Sequence, residues 1–183
     1  MTGTRWLDDE QQATWRAFLA ATRALAEELD RQLQRDAGIP LAYYEILVRL
    51  SEAPGRTIRM SELADLTGSS PSRLSHAVTR LETRGWVERT QCPTDRRGLF
   101  AVLTDEGFAA LEAAAPGHVE TVRALLFDPL SEDQVTALRE ISERVHEHIR
   151  PEGAASRSLR QRAAVPTPGA VESDAEATGP RSP

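Results

Sequence analysis

Apolar residues recur at helical spacing through residues 8–35. Trp15, Phe18, Leu19, Leu25, Ala26, Leu29 and Leu33, with Thr22 among them, form one stripe of a long helix. Asp8 stands at the N-cap, and Gln11 is placed to reach back to it. Gly38 and Pro40 stop this helix. A second helix is predicted over 41–52 around Tyr44, Leu47, Val48 and Leu50, ending before the turn dipeptide Pro54-Gly55. Thr57-Ile58-Arg59 reads as a short strand, and a helix over 60–67 turns Leu63, Ala64 and Leu66 inward. After the tight turn Gly68-Ser69-Ser70, Ser70 caps a helix whose first residue is Pro71. That helix runs to about Arg84 and Gly85 ends it.

The pattern then changes period. Residues 86–91 and 99–103 read as two strands joined by the polar turn 92–98, a hairpin with a charged tip. Thr104 caps a helix over 105–127 with Phe108, Leu111, Val119, Val122 and Leu126 as its apolar residues. Pro116-Gly117 predicts a kink or break within it. Ser131 and Gln134 make a capping box for a last helix, 131–149, striped by Val135, Leu138, Ile141, Val145 and Ile149. From Pro151 the chain is rich in Ala, Pro, Gly and Ser with little to bury, and is expected to be disordered. The fold class is mainly α with a small β-hairpin.

Composition narrows this picture. The hydrophobic fraction is 40% and the aromatic fraction 5%, so the core is built of Leu, Val, Ile and Ala. No stretch approaches the ~20 apolar residues of a membrane span, and residues 1–12 lack a signal-peptide core, so a cytoplasmic location without membrane association is expected. Cys92 is the single cysteine, which excludes an intrachain disulfide and a Cys-based metal cluster. His146 and His148, two apart, face different sides of a helix, and no metal or other cofactor is expected. The chain offers no nucleophile–base pair, no paired carboxylates at useful spacing and no Gly-rich phosphate loop, so an enzyme is not expected.

A net charge of −6 is unlike the usual nucleic-acid binder. Over residues 71–97, however, Arg73, Arg80, Arg84, Arg89, Arg96 and Arg97 face only Glu82, Glu88 and Asp95, a local excess of +3. Helix 71–84 has two faces. Leu74, Ala77, Val78 and Leu81 fall in an arc of about 100°, while Ser72, His76, Thr79 and Thr83 point the other way, flanked by Arg73 and Arg80. Two helices joined by a short Gly-containing turn can place the second in a DNA major groove. Small hydroxyls and arginines on its outer face can contact base edges and phosphates. Asp95, Arg96 and Arg97 at the hairpin tip suit a minor groove, with Asp95 holding Arg97 extended.

These segments together are specific. Leu63-Ala64 followed by Ser69-Ser70-Pro71-Ser72-Arg73-Leu74, the junction LETRGWVER (81–89), the tip Asp95-Arg96-Arg97 and Leu103-Thr104 with Gly107 resemble the core of the MarR family, the multiple antibiotic resistance regulators. The resemblance runs over residues 8–149. It implies a winged helix-turn-helix regulator, usually a repressor, which binds a near-palindromic operator in double-stranded DNA as a homodimer. It also implies release by a small phenolic or anionic ligand. Carried over by position, Ser70, Ser72, Arg73, His76 and Arg80 would read the major groove, and Arg96 and Arg97 would serve the wing. Residues 1–40 and 105–150 would form the dimerisation region, 41–104 the DNA-binding domain and 151–183 a tail. Trp15, Phe18, Tyr43, Tyr44 and His118 are candidates for an effector pocket; core and dimer interface for the aromatics, and surface or cap for His118, are the competing assignments. Thiol-oxidation sensors of the family carry a cysteine in the first helix, which is absent here, while Cys92 sits at the wing. Two rivals remain: a winged-helix adaptor, which would need an apolar patch on the helix face, and a metal-sensing regulator, which would need clustered Cys and His.

Overall fold

The computed structural model describes residues 3–92 and 95–149. Six α-helices and three strands follow in the order α1 (Asp9–Ala37), α2 (Leu41–Ser51), β1 (Thr57–Arg59), α3 (Met60–Leu66), α4 (Pro71–Thr83), β2 (Val87–Cys92), β3 (Asp95–Leu103), α5 (Asp105–Val122) and α6 (Glu132–Ile149). The chain divides into units 1–143 and 144–183, and of the second only the end of α6 is described. The expected disordered tail, 151–183, lies outside the described residues.

Helix boundaries follow the sequence signals closely. The Asp8 carboxylate accepts from the Gln11 N–H at 2.8 Å and the Gln11 side chain returns a bond to the Asp8 N–H, a complete capping box. Pro40 precedes α2 and its side chain caps nothing. Asp30, one helix earlier, accepts the Leu41 N–H at 2.8 Å and satisfies that end. Ser70 takes the Arg73 N–H at α4, and Ser131 with Gln134 forms the reciprocal pair at α6.

The sheet has the order β1-β3-β2, antiparallel throughout, with Thr57 opposite Val102 and Val87 opposite Leu103. It lies with α2, α3 and α4 around one core: Leu47, Leu50, Ile58, Leu63, Leu74, Val78, Leu81, Val87, Ala101 and Leu103 are all buried. α4 contributes Leu74, Val78 and Leu81, the inner edge of its predicted apolar arc. Leu33 of α1, Ile39 just after it, and Leu111 and Ala114 from α5 join the same core, so the long flanking helices are fastened to this lobe.

The fastening is tightest where β3 meets α5. Gly85 ends the turn after α4 at φ 72°, a left-handed conformation that costs glycine little. Its carbonyl accepts from the Thr104 hydroxyl at 2.7 Å; the same hydroxyl accepts the Gly107 N–H at 3.0 Å, and the Thr104 N–H donates to the Trp86 carbonyl at 3.1 Å. The first turn of α5 therefore lies directly on the Gly85–Trp86 corner. A Cβ on Gly107 would stand 2.8 Å from Leu103 Cδ1 and closer still to the Trp86 carbonyl oxygen. The Leu-Thr-x-x-Gly pattern is thus a packing requirement: threonine to cap, glycine to let the backbones meet.

Two expectations are corrected. β3 begins at Asp95, so Asp95, Arg96 and Arg97 belong to a strand and not to a long tip loop; the pairing passes from Gln91–Leu99 to Cys92–Asp95 through an irregularity, which absorbs the extra residues. The helix does not break at Pro116: α5 runs through it, and the departure comes later, as a π-turn over Arg123–Phe127 closed by Asp128 N–H to Arg123 C=O at 2.8 Å. Proline's φ fits a helix, and the loss is one hydrogen bond with crowding. The adjacent Gly117 packs close to Gln32 and Asp36 of α1, and Ala114 is buried, so packing on α1 holds the segment helical.

Gly107→Ala is expected to lower stability by at least ~2 kcal/mol through overpacking, even though alanine is the better helix former by about 1 kcal/mol. Urea or thermal melts measure this against Gly3→Ala, where a Cβ meets nothing within 4 Å. Equal midpoints for the two variants would show that the corner relaxes freely.

Candidate nucleic-acid interface

The outer face of α4 is built by the same residues that bury its inner face. With Leu74, Val78 and Leu81 buried, a 100° step per residue leaves Ser72, Arg73, Ser75, His76, Thr79, Arg80 and Thr83 exposed, with Ser70 at the helix start. Pro71 at the first position leaves the capped N-terminus open to solvent, where unpaired N–H groups favour a phosphate. The side chains of Arg73, His76 and Arg80 make no hydrogen bond or ion pair among the described residues and are exposed on this face. No large apolar side chain is exposed on it.

Two arginines of the same stretch are differently employed. Arg84 donates to the Gly38 carbonyl at 3.0 Å and lies over the Trp86 ring at 4.9 Å, joining the end of α4 to the end of α1. Arg89 of β2 is largely enclosed and turned onto α4. Its guanidinium pairs with Glu82, donates to the Ser75 carbonyl at 2.7 Å and to the Thr79 hydroxyl at 3.0 Å, while its N–H donates to Glu82 at 3.1 Å. Sequence reading counted Glu82 and Arg89 only as charges. The seven-residue separation across the Gly85 turn was the available signal, but nothing in a linear pattern says that a strand residue folds back over a helix.

The wing assignments are located only by backbone. Asp95, Arg96 and Arg97 open β3, with Asp95 opposite Cys92; the side chains of all four lie outside the described residues.

The structure divides the five candidate pocket aromatics into separate places. Tyr44 and His118 meet, ring centroids 4.4 Å apart and tilted at 48°. Burial raises the Tyr44 hydroxyl above its ordinary pKa and lowers that of His118. Gln32 of α1 is 2% exposed; it donates to Asp36 at 3.0 Å, its Oε1 has no partner, and neither has Nδ1 of His118. The buried Gln32 oxygen and His118 ring nitrogen, on α1 and α5, are thus two polar atoms without a partner among the described residues, an unusual polar spot. Gln32 was not foreseen, because a glutamine in a helix reads as a surface residue. Trp15 and Phe18 stack on each other at 6.3 Å and are each about half exposed. They precede Gln32 by 17 and 14 residues, roughly 25 and 21 Å along the helix, so they do not wall the Tyr44–His118 contact. Tyr43 points elsewhere, into an open groove of about 440 Å³ with Gln34, Gly38, Pro40, Arg80, Thr83 and Arg84. No helix among the described residues is long and apolar enough to cross a membrane, and no group of three or more His, Cys, Asp or Glu there could hold a metal.

Against known proteins, a model of the MarR family matches residues 37–98. The chain is 52% identical to Sco3205, a MarR family transcriptional regulator of Streptomyces coelicolor solved in complex with DNA, over 82% of this chain and 95% of that one at a TM-score of 0.79. It is 37% identical over 92 residues to the HTH-type transcriptional regulator PecS of Dickeya dadantii, covering 50% of this chain and 55% of PecS. It is 29% identical over 121 residues to the transcriptional repressor MprA of Escherichia coli, covering 66% of this chain and 68% of MprA.

Because burial holds His118 neutral in the folded chain, the unfolded chain takes up the proton first as pH falls. Its contribution is intact above the ordinary value of 6.5 and is lost as pH falls through that value towards the lower folded one. Urea midpoints at about pH 7.5 and about pH 5.5 should therefore differ less for His118→Phe than for the parent. An equal drop in both would remove His118 as the titrating group.

Proposed function

The chain belongs to the MarR family of transcriptional regulators, and from that membership we propose that it is a dimeric repressor whose α4 enters the major groove of a near-palindromic operator. The observation that carries this reading is the outer face of α4: exposed serines, His76 and two unpartnered arginines above a fully buried apolar edge. Ser70, Ser72, Arg73, His76 and Arg80 are the proposed reading residues, with Arg73 and Arg80 able to pair bidentately with guanine. Arg96 and Arg97 serve the wing and Asp95 orients Arg97. A transcriptional regulator, and not an enzyme, is the role the family gives. Repression is supported by likeness to MprA, which is named a repressor, and DNA binding by likeness to Sco3205, which was solved with DNA.

Dimerisation is supported by unspent apolar surface. Of the long α1 stripe only Leu33 is buried, and α6 has no buried residue. Trp15, Phe18, Val119, Leu125, Phe127, Ile141, Val145 and Ile149 are all exposed, on the helices expected to pair. A second copy covering 1–40 and 105–150 would bury them and leave two 41–104 lobes about 34–36 Å apart, one turn of DNA. Trp15 and Phe18 then belong to the dimer face. The effector, a small phenolic or anionic molecule, is proposed to bind at the Tyr44–His118 contact, where the unpaired Gln32 and His118 atoms offer hydrogen bonds.

Fluorescence anisotropy with duplex DNA from the chain's own upstream region, against a scrambled duplex across a salt series, tests the reading. Tight binding to the first alone, falling with a log–log slope near −0.9 per neutralised phosphate, is expected. Arg73→Ala should cost about 1–3 kcal/mol at particular base pairs, and Arg97→Ala should weaken all duplexes and lower the slope by about 1. Asp95→Ala should weaken binding despite removing a negative charge. Failure to bind any genomic duplex at low salt would favour the adaptor alternative. Ile141→Glu should shift the sedimentation of the parent dimer towards monomer; an unchanged value would clear α6 from the interface.

A further inference from the structure

Among the described charged side chains of α4 and the hairpin, Glu82 and Arg89 are set apart by being partly enclosed and paired with each other. Their side chains are 29% and 20% exposed, respectively. Glu82 takes two bonds from Arg89, one from the backbone N–H at 3.1 Å and one from the guanidinium. The other terminal guanidinium nitrogen donates to the Ser75 carbonyl at 2.7 Å and the Thr79 hydroxyl at 3.0 Å. Thr79 in turn donates its hydroxyl to the Ser75 carbonyl at 3.0 Å. One arginine of β2 is thus tied to three successive positions, 75, 79 and 82, along a single line of α4. The planar fork of arginine fits several acceptors at fixed angles, which a lysine ammonium does not. Arg89 lies three residues before Cys92, the end of β2, and pairs with Ala101 in β3. The contact therefore sets both the rotation of α4 about its axis and the direction in which the hairpin leaves it.

We propose that the Glu82–Arg89 pair is the positioning element of DNA discrimination: it fixes the reading helix and the wing in one register, without itself touching DNA. This rests on the DNA-reading role of α4. The carboxylate of Glu82 is what separates positioning from contact. Removing a negative charge beside DNA should strengthen binding to any duplex by simple electrostatics, whereas loosening a register should weaken binding only to the sequence that needs it. The Thr79 hydroxyl, which donates to the Ser75 carbonyl and accepts from Arg89, has no proton left to give a base.

The test uses the full chain, a duplex selected by it from a random pool, and a scrambled duplex of the same composition. Glu82→Gln is expected to lower the ratio of the two affinities at least tenfold while affinity for the scrambled duplex stays level or rises. Arg89→Lys, which keeps the charge but not the fork, should lose the ratio similarly with an unchanged salt slope. Thermal melts accompany both variants. Proportionate weakening on both duplexes, or a ratio like the parent's in either folded variant, would overturn the proposal. If Glu82→Gln does not fold, Arg89→Lys decides by the same ratio. A slope reduced by about 0.9 in Arg89→Met would mark Arg89 as a phosphate contact instead. Failure of the parent itself to distinguish the duplexes would count against the DNA-reading role.

Discussion

The meeting of two backbones at Gly107 and the Trp86 carbonyl is the constraint on which the rest of the architecture turns. It fixes the end of α4, the start of β2 and the start of α5 at one point, through Gly85, Trp86, Thr104 and Gly107. A side chain at Gly107 would push α5 away from the lobe that carries α4. Because α5 also packs its Gly117 against α1, the same corner determines where the exposed stripes of the long helices lie relative to the helix that carries the polar face.

Charge acts here by placement and not by sum. The chain carries −6 overall against a local excess of +3 over 71–97, and the arginines that make up this excess are not equally available to a partner. Arg84 is bound to α1 and stacked on Trp86, and Arg89 is bound to Glu82. Arg73 and Arg80 are left outward. The partly buried pair sits where water competes less than at the surface, so its geometry is better defined than an exposed ion pair such as Arg56–Asp105, whose carboxylate is 97% exposed. Arginines that position are thereby separated from arginines that remain available for a partner.

Much of this was legible from residue order because the signals are local. Asp8 with Gln11, Ser70 with Pro71, and Ser131 with Gln134 act within one turn of helix, and each marks a boundary that the structure keeps. The apolar arc of α4 needed only the helical period. Pro116 misled because its cost is local while the packing of Gly117 and Ala114 on α1 that outweighs it is not. The wing misled because Pro93, Asp95 and Gly98 are ordinary turn residues, and only pairing across to β2 extends β3 back to Asp95. Trp15 and Phe18 share the aromatic character of Tyr44 and His118, but composition carries no distance; the rise along α1 separates them.

The sequence by itself determined the helices, their caps, the hairpin, the two faces of α4 and the kind of protein they resemble, since each is written in residues at most a few turns apart. Only the tertiary structure decided which charges face outward, that Arg89 spans α4, that Gln32 is buried with an unpaired oxygen, and why position 107 must be glycine. Those depend on contacts between segments distant in the chain, where burial and approach, and not residue type, set what a side chain can do.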